Sequence, residues 1–156
     1  MFDKILVCLD GSPLAEQILP YAAEQALHFN SQLILFRAHA YPTYTGPATP
    51  GFPAVPITNI NMESIIKHEE AESAAYLQSV ADKLAAEKGL QAESVTVLGN
   101  AGQAIVNYAK ENSVELITIA THGRSGLGRA VMGSVADHVL RETHIPVLLI
   151  RPSSTR

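Results

Sequence analysis

Cysteine is almost missing from this chain: Cys8 is the only one in 156 residues, so no disulfide can close within it. Cys8 lies in the apolar run Ile5-Leu6-Val7-Cys8-Leu9 and reads as a buried strand residue, because a free cysteine behaves as a small hydrophobe. Positive charge is also short. Eleven Lys and Arg stand against 15 Asp and Glu, a net charge of −4, whereas a nucleic-acid binder carries a basic excess, so no nucleic-acid partner is expected. No apolar run approaches the ~20 residues needed to cross a bilayer, which excludes a membrane-spanning helix. No charged-then-apolar leader opens the chain, so a cytoplasmic location is expected. The six histidines show no metal-ligand spacing with cysteine, and a zinc site is not expected. Neither an internal repeat nor a second domain is visible. What remains is ordinary globular composition, 47% hydrophobic and 17% charged, in a length that suits one domain spanning residues 1–156.

Apolar runs and helical periodicity alternate along the chain. Residues 4–9 form an apolar strand that ends at Asp10-Gly11, and Ser12-Pro13 supplies an N-cap and a proline for the first helical position. The helix that follows should bury Leu14, Ile18, Ala22 and Leu27, with a kink at Pro20. Residues 32–40 form a second strand. An irregular excursion over 41–62 carries Pro42, Pro47, Pro50, Pro53 and Pro56, and a segment of this length is usually functional or disordered. A long amphipathic helix over 63–88 should bury Ala74, Leu77, Ala81 and Leu84 and stop at Gly89; its glutamates 69, 70 and 72 read as a solvated face. A strand over 93–98, a helix over 101–112 capped by Asn100, and a strand over 115–120 come next. A glycine- and arginine-bearing loop then leads to a helix from Gly133-Ser134 to about 142, with His138 and Glu142 on its surface, and a last strand covers 146–150.

Strands that alternate with helices make an α/β fold: one open five-stranded parallel sheet with helices on both faces. Right-handed crossovers leave few windings, and the expected strand order is 3-2-1-4-5. The chain then reverses direction between the first and fourth strands. Ligands of open α/β sheets bind in the crevice beyond the strand ends at such a reversal.

Two segments should meet there. One is Cys8-Leu9-Asp10-Gly11-Ser12; the other runs from Ala120 through Arg129 to Gly133-Ser134. Gly123, Gly126 and Gly128 let the backbone turn and approach a ligand closely. A helix N-terminus at Ser134 offers unsatisfied N–H groups and partial positive charge, and Arg124 and Arg129 add to it. These features suit a polyphosphate; the alternative is an ordinary turn before a capped helix, and Asp10 has the matching alternative of a turn cap. The G-x-x-x-x-G-K-[ST] and G-x-G-x-x-G motifs are both absent, which excludes a Walker-type nucleotidase and the common dinucleotide fold. His122 has no visible partner acid or nucleophile and reads as a packing or hydrogen-bonding residue.

The run Ile117-Thr118-Ile119-Ala120-Thr121-His122-Gly123-Arg124-Ser125-Gly126-Leu127, followed by Val131-Met132-Gly133-Ser134-Val135-Ala136, resembles the signature of the universal stress protein family. The opening Ile5 to Ser12 and the close Ile145 to Arg151 resemble it too. The resemblance implies an ATP-binding domain, with Mg²⁺ carried mainly on phosphates and water. It places Cys8 and Asp10 at the adenosine and the backbone of Ala38 at the adenine edge. Ala120, His122, Gly123, Arg124, Ser125 and Gly126 would wrap the ribose and phosphates, and Gly133, Ser134 and Val135 would receive the phosphates. ATP-binding members carry glycine where Ala120 stands, a departure that is mild if the backbone is extended there. The resemblance also implies a homodimer joined through the edge strand over 146–151, as well as a regulatory protein partner. Three functions follow: a nucleotide-binding stress or regulatory protein; a slow ATPase or self-phosphorylating enzyme, with Thr121 and Ser125 as acceptors but no clear base to position a water; or an interaction module without nucleotide.

Overall fold

The computed structural model describes residues 1–40, 62–121 and 133–153. The excursion at 41–61, and with it the role of its prolines, lies outside the described residues.

The chain opens with β1 (Lys4–Cys8), in which Ile5, Leu6 and Val7 are wholly buried. A strand covered on both faces has no polar side to alternate with, hence the unbroken apolar run. The turn after it folds on its own side chains: the Ser12 amide donates to Asp10 Oδ1 at 2.9 Å, and the Ala15 amide donates to Ser12 Oγ at 3.1 Å. Ser12 thereby caps α1 (Pro13–Glu16), with Pro13 in its first turn. Ser12→Ala is expected to cost about 1 kcal/mol in a urea-melt comparison, the usual loss for an N-cap oxygen.

The kinked helix expected here is two helices. Helix α1 ends at Glu16, and α2 (Leu19–Phe29) starts afresh with Pro20 in its first turn, where a missing N–H breaks no helical hydrogen bond. Ile18 and Ala22 are buried as expected; Leu14 is half-buried, and Leu27 is exposed. The buried stripe of α2 is Leu19, Ala22, Ala23 and Ala26, and Leu27, one residue further on, is turned away from it. Asn30 ends the helix in the left-handed region at φ 53°.

Strand β2 (Gln32–His39) leads through the undescribed segment to α3 (Met62–Lys88). Its buried stripe runs Ser73, Leu77, Val80, Ala81 and Leu84, so Ala74 is exposed and Ser73 takes the inward position. The helix stops as expected at Gly89, φ +65°, where the Gly89 amide donates to the Ala85 carbonyl and the Leu90 amide to the Leu84 carbonyl. Then come β3 (Ala92–Leu98), α4 (Ala101–Glu111), β4 (Leu116–Ala120), α5 (Ser134–Glu142) and β5 (Val147–Ile150). Asn100 caps α4, its side chain accepting from the Gln103 amide at 3.2 Å.

All strand pairings are parallel, and the order is β3-β2-β1-β4-β5, as expected from the alternation. Alternate residues of the central strands feed two cores. Ile5, Val7, Leu33 and Leu35 pack with α2 and α3, while Leu6, Cys8, Ile34 and Phe36 pack with α4 and α5. Thr118, fully buried in β4, satisfies its hydroxyl by donating to the Leu6 carbonyl at 3.1 Å. Glu142 is exposed as expected, but His138 is not a surface residue. It is half-buried, with its ring lying where a Cβ on Gly102 would be, 2.7 Å from Cδ2; the crossing of α4 and α5 needs glycine at that point.

Candidate functional site at the strand reversal

Helices α2 and α3 cover one face and α4 and α5 the other, so the chain changes sides between β1 and β4. A cavity of about 240 Å³ opens at that point. Cys8 and Asp10 reach it from the end of β1, Ala38 from β2 and Ala120 from β4. Gly133, Ser134 and Val135 reach it from the start of α5. These are all the expected site positions among the described residues, and they meet at one place although the sequence separates them by more than a hundred residues. His122, Gly123, Arg124, Ser125 and Gly126 lie outside the described residues.

The two ends of the glycine-bearing loop are held together. The Gly133 amide donates to the Thr121 carbonyl at 2.6 Å, and the Thr121 amide donates to the Ile150 carbonyl at 2.8 Å. This fixes the start of α5 beside the end of β4. Gly133 is the N-cap of α5 and has no side chain to fill the cap, so the N-cap residue itself offers no acceptor to the first N–H groups of the helix. Its backbone, at φ −59° and ψ 144°, is one that any residue adopts.

Ala120 lies within β4, paired with Ile150 of β5, so its backbone is extended. The methyl group therefore brings no strain at that position. It does occupy part of the cavity wall.

Cys8 is buried, and loss of water around it pushes its thiol well above the ordinary range. It is a neutral, apolar part of the wall and not a nucleophile. Cys8 is expected to stay unreactive toward a thiol reagent at pH 8 and to react fully in denaturant; rapid labelling of the folded protein would contradict this. Asp10 lines the cavity while its Oδ1 accepts from Ser12, so the turn cap and the wall are one residue.

The sequence reading missed part of the wall. Phe36 of β2 and Ala101 and Ile105 of α4 line it as well. The signal was available for α4, since Gly99-Asn100-Ala101 follows a strand at the same end of the sheet as Asp10. Phe36 is two residues from Ala38 and so on the same face of β2, but its bulk reads as core in a sequence, and it is indeed core, 1% exposed. Among the described residues, no three His, Cys, Asp or Glu side chains come together as a metal-binding group, and no helix is long and apolar enough to cross a membrane.

The fold and the position of the cavity define a doubly wound parallel α/β protein with a crevice at its switch point. The comparisons narrow that class. The pattern of the universal stress protein family matches residues 1–151. Universal stress protein YxiE of Bacillus subtilis is 33% identical over 151 residues, which is 97% of this chain and 100% of that protein. The structure of universal stress protein UspA from Lactobacillus plantarum superposes with a TM-score of 0.78 at 20% identity, covering 96% of this chain and 98% of that one. A universal stress protein solved in complex with cAMP superposes with a TM-score of 0.67 at 22% identity, covering 97% and 98%. The chain belongs to the universal stress protein family.

Proposed function

We propose that the chain binds an adenine nucleotide, ATP with Mg²⁺, in the crevice between β1 and β4, and that the bound nucleotide acts as a regulatory signal in a stress response. The observation that carries this reading is the joining of two unlike surfaces. A mostly apolar cavity walled by Cys8, Phe36, Ala38 and Ile105 opens beside the uncapped start of α5. The cavity, at about 240 Å³, is smaller than the ~300–1,000 Å³ of a site that engulfs a drug-sized ligand. It suits the base and sugar, with the phosphates at its edge along the helix start, where backbone N–H groups and the helix dipole favour anions. Asp10 at the end of β1 is an acceptor for the ribose hydroxyls. Ala38 presents backbone to the adenine edge, and Ser134 and Val135 present amides to the phosphates. His122, Gly123, Arg124, Ser125 and Gly126 complete the reading from the loop between β4 and α5. Mg²⁺ would be carried by the phosphates and water, in keeping with its reluctance to lose its hydration shell. That another family member takes up cAMP supports an adenine nucleotide as the ligand class.

The test is calorimetric titration with Mg²⁺–ATP, repeated with ADP and cAMP, followed by a phosphate-release assay. A saturable micromolar signal for ATP with no turnover supports a bound signal. Steady turnover would replace it with the slow ATPase. No heat and no thermal shift with any adenine nucleotide would leave a member of the family that works through protein contacts.

The same reading takes the molecule as a cytoplasmic homodimer. Among the described residues strand β5 pairs only with β4, and its apolar side chains are half-buried. An apolar edge strand is a liability unless another strand covers it, and a two-fold pairing of β5 with its copy, over 146–151, covers it. Sedimentation equilibrium is expected to return twice the chain mass; a monomer at tens of micromolar would contradict the dimer.

A further inference from the structure

The geometry points to Arg37 as a positioning residue that acts on the cavity from behind, by clamping the Asp10-Gly11 turn against α3. This rests on the reading of the crevice as a nucleotide site. Along β2, Phe36 and Ala38 line the cavity, so Arg37 between them projects to the opposite face, toward α3. There its guanidinium fills the space beside Gly11. A Cβ built on Gly11 would stand 3.3 Å from Cζ, Nη1 and Nη2 together, and a plane whose three atoms are equidistant is meeting the turn with its flat face. The guanidinium carbon also lies 5.2 Å from the centre of the Tyr76 ring, a cation–π distance. The cation is thus held between the turn and the ring.

Tyr76 is in turn fixed. Its hydroxyl donates to Glu16 Oε1 at 3.0 Å, across 60 residues of sequence, tying α3 to the end of α1. Burial raises the Tyr76 hydroxyl well above its ordinary range, and Glu16, through its charge and its hydrogen bond, raises it further; Arg37 pulls the other way and Asp10 adds a smaller upward push. Glu16, Arg37, Tyr76 and Asp10 therefore share one electrostatic neighbourhood, and Asp10 is its only member that also lines the cavity. Gly11, at φ +84°, sits in a conformation that side chains rarely adopt, so the turn depends on glycine for its backbone and on Arg37 for its packing. Movement of α3 at Tyr76 is transmitted to Asp10 through one guanidinium.

The experiment is amide hydrogen exchange read by NMR, together with Mg²⁺–ATP affinity. The Ser12 amide reports the turn directly, because Asp10 holds it. Arg37→Met is expected to speed Ser12 exchange about tenfold while leaving β4 unchanged, as a local opening does. Tyr76→Leu is expected to do the same, and Tyr76→Phe, which keeps the ring, is expected to stay within about twofold of wild type. Arg37→Lys keeps the charge without the plane and should not rescue. Arg37→Met is expected to weaken nucleotide binding about tenfold in the wild-type background and to add nothing to Asp10→Ala, because residues that act through one shared turn are not additive. Unchanged Ser12 exchange in both Arg37→Met and Tyr76→Leu, or additive losses with Asp10→Ala, would overturn the clamp. If the wild-type protein takes up no nucleotide, the proposed function fails and Ser12 exchange alone still decides the clamp.

Discussion

Gly133→Asp is expected to bind Mg²⁺–ATP about 100-fold more weakly than wild type, or not measurably, while melting at a slightly higher temperature. The two effects have one origin. Gly133 is the N-cap of α5, its backbone admits any residue, and its position has no side chain to cap the helix. An aspartate there supplies the missing acceptor and a negative charge at the positive end of the helix dipole, together worth about 0.3–1 kcal/mol of stability. On the proposed reading the same carboxylate stands where the phosphates would sit, and like-charge juxtaposition costs several kcal/mol. A general loss of structure would lower both affinity and stability, so opposite signs identify the helix start as the phosphate site. Paired calorimetry and thermal melts read both. Unchanged affinity in a folded Gly133→Asp protein would remove the phosphates from α5.

Phe36→Ala is expected to lower stability by about 3–5 kcal/mol, the range for truncating a buried phenylalanine. Phe36 is 1% exposed, belongs to the core shared by β1, β2, α4 and α5, and meets the Tyr108 ring at 5.2 Å between centroids. It is also part of the cavity wall. Its removal joins a void in the core to the crevice, so the base would lose the surface it lies against. Urea melts give the stability, and Phe36→Leu is expected to recover more than half of the loss. A cost below about 1.5 kcal/mol for Phe36→Ala would mean that the core collapses to fill the site, contrary to the packing seen at this position.

These two residues mark what could and could not be read in the sequence. Strands β1, β2 and β4 were legible because a strand covered on both faces leaves an unbroken apolar run, and their alternation with helices fixed the sheet order through the handedness of crossovers. Residues at strand ends then pointed to the crevice, so Cys8, Asp10, Ala120 and Gly133 could be brought together without coordinates, whereas Ala38 followed only from the family resemblance. The extended backbone at Ala120 was legible only as a condition, which its place in β4 meets. The exact stripe of a helix was not legible. An alanine-rich helix such as α3 offers nearly equivalent frames, and packing against the sheet selects Ser73 over Ala74. Pro20 was read as a kink within one helix, but whether it kinks one helix or starts another depends on where α1 docks. The contact of His138 with Gly102 and that of Arg37 with Gly11 and Tyr76 join elements far apart in the chain, and no local pattern records them. The five site positions in the loop between β4 and α5 rest on the sequence alone.

The most direct test of nucleotide binding in the crevice is an NMR titration of isotope-labelled protein with Mg²⁺–ATP. The expected result is a saturating set of amide shifts confined to Asp10, Ala38, Ala120, Ser134, Val135 and the loop from 122 to 132, with β3 and the far end of α3 unmoved. Saturating shifts centred elsewhere, or none at millimolar nucleotide, would contradict the account.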